Sequence, residues 1–230
     1  MKKLSILFIL LALTLSACSA PAEDVQEEVK QITVLTSPDY PPFESIDATG
    51  NYVGFDIELM EAIAEIMGVE VVWKESSFDG IIAGLTAGQG DMAISGMNVN
   101  AERLLSVDFS DIYKDGEALY TAVVLTEKGY TTIADLTGLK VGVQTGTIQE
   151  AAMLTLKDKY NLTIDSRASF LTIIEDIKLG RLDALVIDYE NATQYSIANP
   201  ELGTFKVEDV DLDQDGGTAV AALAARRYPP

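Results

Sequence analysis

Apolar positions along this chain switch between two periods. Short unbroken runs, ITVLT (32–36), VEVVW (69–73) and DMAIS (91–95), read as buried strands. Between them FDIELMEAIAEIMG (55–68) places Ile57, Met60, Ile63, Ala64 and Met67 at helical spacing and stops at Gly68, and FDGIIAGLTAG (78–88) is helical in the same way. A second series begins after TEKGYTT. LKVGVQ (139–144), LTID (162–165) and LDALVID (182–188) read as strands. GTIQEAAMLTLKDKY (146–160), FLTIIEDIKLG (170–180) and a segment running to Pro200 read as helices. Alternating strands and helices predict an α/β fold with parallel crossovers, and two successive series predict two lobes with a cleft between them. The expected organisation is lobe 1 over 32–115, lobe 2 over 116–203, and a return towards lobe 1 over 204–230.

One apolar stretch stands outside this alternation. LSILFILLALTL follows Lys2 and Lys3 and is too short to span a membrane comfortably, so residues 1–17 read as a signal peptide. LSAC follows, and small residues before Cys18 resemble the lipobox of bacterial lipoproteins, which predicts cleavage before Cys18 and acylation of its thiol. Residues 18–31 are acidic and polar without hydrophobic period, as expected of a tether between lipid and fold. The implied location is the outer face of the cell membrane, with the protein held by its lipid.

Charge and composition narrow the functions. Sixteen Lys and Arg against 36 Asp and Glu give a net charge of −20, which argues against nucleic acid and against an anionic membrane surface as partners. There is no histidine and a single cysteine, so histidine acid–base catalysis, Ser-His-Asp triads, Cys/His zinc sites and an intrachain disulfide all fall away. No cofactor or metal is expected. The motif DLDQDG (211–216) matches the first half of a calcium loop, but the twelfth position is Ala222 instead of glutamate, so it reads as an acidic surface loop.

In open α/β sheets a ligand sits beyond the carboxyl ends of the strands. Those ends here are Ser95, Gln144 to Thr147, and Asp188. Arg103 offers a planar fork that matches a carboxylate. The backbone N–H groups of Thr147 and Ile148 open a helix, where anions bind. Asp188 offers a carboxylate for an ammonium, and the rings of Tyr40 and Phe78 can cover an apolar portion. Together these fit an α-amino acid. Each residue also has a plainer reading: Arg103 as a surface or packing residue, Asp188 as the N-cap of the helix from Tyr189, Tyr40 and Phe78 as core aromatics, and Asn100 as a cap before AERLL.

Six blocks in order, YPPFE (40–44), GFDIELMEAIAEIMG (54–68), FDGIIAGLTAGQGDMAISGM (78–97), ERLLSVDFSDIY (102–113), LTGLKVGVQTGT (136–147) and GRLDALVID (180–188), resemble the amino-acid-binding family of extracytoplasmic solute-binding proteins. The resemblance implies a two-lobed, periplasmic-binding-protein type II fold. It also implies a monomeric, non-enzymatic receptor that passes a free amino acid to the permease of an ABC importer. It places a carboxylate contact at Arg103, assisted by Thr147 and Ile148. It places amino-group contacts at Ser95, Gly96, Asn98 and Asp188, and stacking rings at Tyr40 and Phe78, with Ser37 and Gln144 also in the site. Asn98 and Asn100 stand where the family usually has threonines. Ser37 stands where binders of basic amino acids often carry aspartate, which speaks against lysine, arginine or histidine. The alternative is an enzyme on the same fold, similar to periplasmic cyclohexadienyl dehydratases, with Asp188 or Glu44 as its acid or base. The resemblance further implies helices after GGTAVA, where this chain reads ALAARRYPP; a truncated or frame-shifted end is the expectation.

Overall fold

The computed structural model describes residues 30–115, 120–210 and 217–223. The signal peptide, Cys18, nearly all of the tether, the DLDQDG loop and the residues after Leu223 lie outside the described residues. The first half runs β1 (Gln31–Thr36), β2 (Asp39–Tyr40), β3 (Glu44–Ile46), β4 (Tyr52–Val53), α1 (Phe55–Met67), β5 (Glu70–Glu75), α2 (Ile81–Thr86), β6 (Met92–Ala93) and β7 (Val107–Phe109). The second runs β8 (Tyr120–Leu125), β9 (Lys140–Gln144), α3 (Ile148–Leu156), β10 (Thr163–Arg167), α4 (Phe170–Lys178), β11 (Ala184–Asp188), α5 (Tyr189–Ala198) and β12 (Leu202–Lys206), and β13 (Ala221–Leu223) closes the described chain. Among the described residues no helix is long and apolar enough to cross a membrane.

Two five-stranded sheets form the cores of two lobes, in the orders β5-β1-β6-β13-β7 and β10-β9-β11-β8-β12. The parallel crossovers read from the sequence are present: β1 lies parallel to β5 and β6, and β9 parallel to β10 and β11. The sheets are nevertheless mixed. β13 runs antiparallel to β6 and β7, and β8 antiparallel to β11 and β12. These strands need no crossover helix of their own, so they leave no strand–helix alternation in the sequence.

Helices are shorter than their apolar period. The 78–88 segment becomes a 3-10 turn over Phe78–Gly80 and a six-residue helix, because glycines at 80, 84 and 88 weaken it. The second sheet is covered on both faces. Val141, Val143, Met153 and Val186 share one cluster, and Phe170, Ile173, Ile177 and Ile187 the other. Tyr40 and Phe43, from the small sheet β2-β3-β4 of the first half, pack into that second cluster, with the Tyr40 ring 5.6 Å from that of Phe170. Lobe 1 therefore reaches into lobe 2 with two aromatic rings.

Candidate functional site

The strand ends named above meet where the lobes face each other. Ser95 follows β6, Gln144 ends β9 and Asp188 ends β11. A small cavity of about 10 Å³ is lined by Ser37, Tyr40, Phe78, Ser95, Gly96, Asn98, Gln144, Thr147 and Ile148, together with Glu44, Gln149 and Phe170. That is room for about one water. A larger cleft of about 630 Å³ shares Phe78, Thr147 and Ile148 with it and adds Arg103, Met97, Gly146 and Glu150.

Arg103 sits in a 3-10 turn (Arg103–Leu105) instead of a longer helix, and Asn100 Oδ1 accepts its backbone N–H at 2.8 Å, which is the capping role read for Asn100. Its guanidinium is buried and lies 5.2 Å from the Phe78 ring centre. One Nη donates to the carbonyl of Asn98 at 2.7 Å and the other to the carbonyl of Gly146, across the cleft, at 2.9 Å. It forms no ion pair with a carboxylate among the described residues. Burial pulls its pKa down to about 10, so it stays charged at neutral pH.

Asp188 occupies the N-cap position of α5, yet its carboxylate caps nothing. Instead it accepts from the Tyr40 hydroxyl, across the lobes, and from Gln149 Nε2 at 2.7 Å. Burial raises its carboxyl above the usual range in spite of those two donors. Asp188 lines neither cavity, so the structure does not bring it and Arg103 to one wall. Tyr40 accordingly has two roles: its ring packs between Phe43 and Phe170, and its hydroxyl reaches Asp188.

The helix start at Thr147 is capped, and the neighbouring Gly146 N–H is taken by the Glu150 carboxylate at 2.7 Å. Thr147 caps α3 by accepting from Glu150 N–H at 3.1 Å, while its hydroxyl donates to the Gln144 carbonyl at 2.7 Å. Gly146, at φ 79°, lies against Asp79, where a Cβ would come within 3.1 Å of the Asp79 Cβ. Across the cavity, Gly96 at φ 53° packs on the Tyr40 ring, and a Cβ there would fall 2.8 Å from it.

Three acids escaped the sequence reading as members of the site, although Glu44 was weighed as a catalytic acid. Asp39 accepts from Phe170 N–H at 2.8 Å, from Gln144 Nε2 at 3.3 Å and from the Ser37 hydroxyl at 3.3 Å, tying β2 to the start of α4 in the other lobe. Glu44 accepts from the Ser95 hydroxyl at 2.7 Å, and Asp56 from Gly96 N–H at 2.7 Å. Asp39 stood between two prolines in SPDYPPFE, a place where turn chemistry already accounts for an acid; Asp56 looked like an ordinary first-turn helix acid. Among the described residues no group of His, Cys, Asp and Glu could hold a metal ion.

The sequence pattern of the bacterial extracellular solute-binding proteins, family 3, matches residues 32–158. The chain belongs to that family. The arginine-binding extracellular protein ArtP of Bacillus subtilis is 34% identical over 223 residues, which are 96% of this chain and 86% of the relative. A probable histidine-binding protein of Campylobacter jejuni is 36% identical over 81% of this chain and 69% of its own length. Among solved structures, the substrate-binding protein of an amino acid ABC transporter superposes with a TM-score of 0.78 at 32% identity, covering 86% of this chain and 87% of the other. An ancestral arginine-binding protein bound to arginine does so with a TM-score of 0.75 at 32% identity, covering 86% of each. The two-lobed fold of this family member is thus that of solute-binding proteins, and these relatives are named for binding and not for catalysis.

Proposed function

We propose that this family-3 protein is the receptor of an ABC-type importer and binds one free α-amino acid between its lobes. The observation that carries the reading is Arg103: a buried guanidinium at the interlobe cleft that, among the described residues, lies over the Phe78 ring, donates to two backbone carbonyls and forms no ion pair. A buried charge without a counter-charge costs stability, and a carboxylate is the ligand that relieves it. The solute's carboxylate meets Arg103 and the amides of Thr147 and Ile148, and its ammonium meets Ser95, Gly96 and Asn98, while Asp188, held by Tyr40 and Gln149 outside both cavities, acts on it only at longer range. Tyr40 and Phe78 flank the carbon skeleton, and Ser37 and Gln144 face its side chain. Because the small cavity holds little more than a water, the lobes part for entry and close behind the solute.

The relatives' names point to arginine or histidine, whereas Ser37 in place of an acid points away from a cationic side chain. One structural neighbour is an ancestral arginine-binding protein bound to glutamine. Calorimetric titration with arginine, histidine, glutamine and then the remaining common amino acids tests the reading. Each binder is paired with its decarboxylated amine, which should lose about tenfold or more in affinity. Equal binding of amine and amino acid would remove Arg103 from the site. The chain acts as a monomer held to the membrane by acylated Cys18. A fatty-acid probe fed to producing cells should label the wild type and spare Cys18→Ser.

A further inference from the structure

Beneath Ser95 and Gly96 lie two carboxyl groups for which solute binding as described has no use. Glu44 is 1% exposed and Asp56 fully buried. Glu44 Oε1 accepts from the Ser95 hydroxyl, and Asp56 Oδ2 accepts from Gly96 N–H and from the Tyr113 hydroxyl at 2.8 Å. The other oxygen of each, Glu44 Oε2 and Asp56 Oδ1, is buried with no donor among the described residues, and the two groups lie close enough for the Asp56 charge to act on Glu44. Two ionised carboxylates so placed would repel and leave two buried acceptors unsatisfied. A single proton held between them removes both defects.

We infer that Glu44 and Asp56 share one proton at neutral pH, and that this pair fixes the hydrogen-bond direction of the cavity wall so that Ser95 and Gly96 offer a solute acceptors only. A serine hydroxyl has one donor and two acceptor lone pairs. The Ser95 donor is committed to Glu44 and one lone pair to Ser37 N–H at 3.0 Å, which leaves one lone pair. Gly96 N–H is committed to Asp56, which leaves its carbonyl. A wall of acceptors selects an ammonium and rejects a carboxylate, so the pair sets which end of the amino acid lies there. Glu44 and Asp56 are positioning residues for the site proposed above, and their role rests on that reading.

The titratable groups around the pair are Asp39, Tyr40, Tyr113 and Tyr195, all acids or phenols. No Lys or Arg forms an ion pair with either carboxyl among the described residues. Burial and then the Asp56 charge hold Glu44 well above the usual carboxylate range, and burial raises Asp56.

Two measurements on the full chain test this. Carboxyl carbon NMR of protein labelled at Asp and Glu, recorded at neutral pH without solute, should show a protonated carboxylic acid that disappears in Glu44→Gln. Absence of that signal from wild type, or its persistence in both Glu44→Gln and Asp56→Asn, overturns the shared proton. Affinity for arginine, histidine and glutamine is then followed from neutral to mildly alkaline pH. Glu44→Ala frees the Ser95 hydroxyl and should weaken the best binder by about tenfold or more, and Glu44→Gln, an uncharged mimic of the protonated acid, should recover most of the loss. Wild-type affinity should rise with pH relative to Glu44→Gln, because loss of the shared proton puts a second negative charge beneath the ammonium, a ratio in which ionisation of the solute's own amine cancels. A flat ratio, or Glu44→Gln as poor as Glu44→Ala, refutes the positioning role. If no common amino acid binds wild type, the amino-acid reading fails while the NMR signal still decides the proton.

Discussion

Replacing Arg103 by methionine separates a solute contact from a structural clamp, because the expected effects are large on binding and small on stability. Methionine keeps much of the length and the packing on Phe78 and removes the charge. A guanidinium pulled by burial from its ordinary value down to about 10 carries a burial cost of roughly 3 kcal/mol. The sign follows from the direction of the shift. Between the folded value and the higher unfolded one the unfolded chain binds the extra proton, so the cost is fully present at neutral pH and is relieved as pH rises from the folded value to the unfolded one. Against that gain stand the two bonds from the charged guanidinium to the carbonyls of Asn98 and Gly146, each worth about 1.5 kcal/mol net. The terms nearly cancel.

Arg103→Met without solute should therefore unfold in urea within about 1 kcal/mol of wild type. Binding behaves otherwise. Once a carboxylate is engaged, loss of its charged partner costs about 2–5 kcal/mol, so affinity should fall by roughly thirtyfold or more. Stabilisation by solute at about 100 times the wild-type dissociation constant, near 2.7 kcal/mol for wild type, should almost vanish in the variant. Calorimetry and urea melts with and without solute read both quantities. A variant that binds as tightly as wild type while losing several kcal/mol of stability would refute the argument and make Arg103 a clamp between Asn98 and Gly146.

Gly96→Ala should lose about 1–2 kcal/mol from the left-handed backbone alone, and more because its Cβ meets the Tyr40 ring at 2.8 Å, read as a lower urea midpoint. Met153→Ala, in the fully buried core beneath α3, should cost about 2–5 kcal/mol by the same measurement. Asp39→Ala removes the acceptor for Phe170 N–H in the opposite lobe, so small-angle scattering without solute should report a larger radius of gyration than wild type. Asp39, Glu44, Asp56 and Asp188 all have raised carboxyl pKa values in the fold, so the stability they confer is present at acid pH and lost as pH rises through those values. Urea melts at high salt, which screens the net charge of −20, should show greater stability at mildly acidic pH than at mildly alkaline pH.

What the sequence disclosed follows from which forces are local. β1, β9 and β11 and the long helix α1 were legible because burial on one or both faces writes a period into consecutive residues. The run YTAVVL of β8 has the same apolar character, but its place between β11 and β12 depends on partners from a distant part of the chain. The nine cavity residues named from sequence sit at strand ends, helix starts or glycine turns, where local rules also operate. Hydrogen-bond partners are not local. Asp188, which the sequence offers for an ammonium or as an N-cap, is already bonded to Tyr40 and Gln149, while Asp56, which carries no mark in the sequence, holds Gly96 in place. Residue type shows that a group is charged; packing alone shows whether its charge is answered. By that criterion Asp188 is largely satisfied within the protein, whereas Arg103 forms no ion pair among the described residues, and it is on that difference that the proposed carboxylate contact rests.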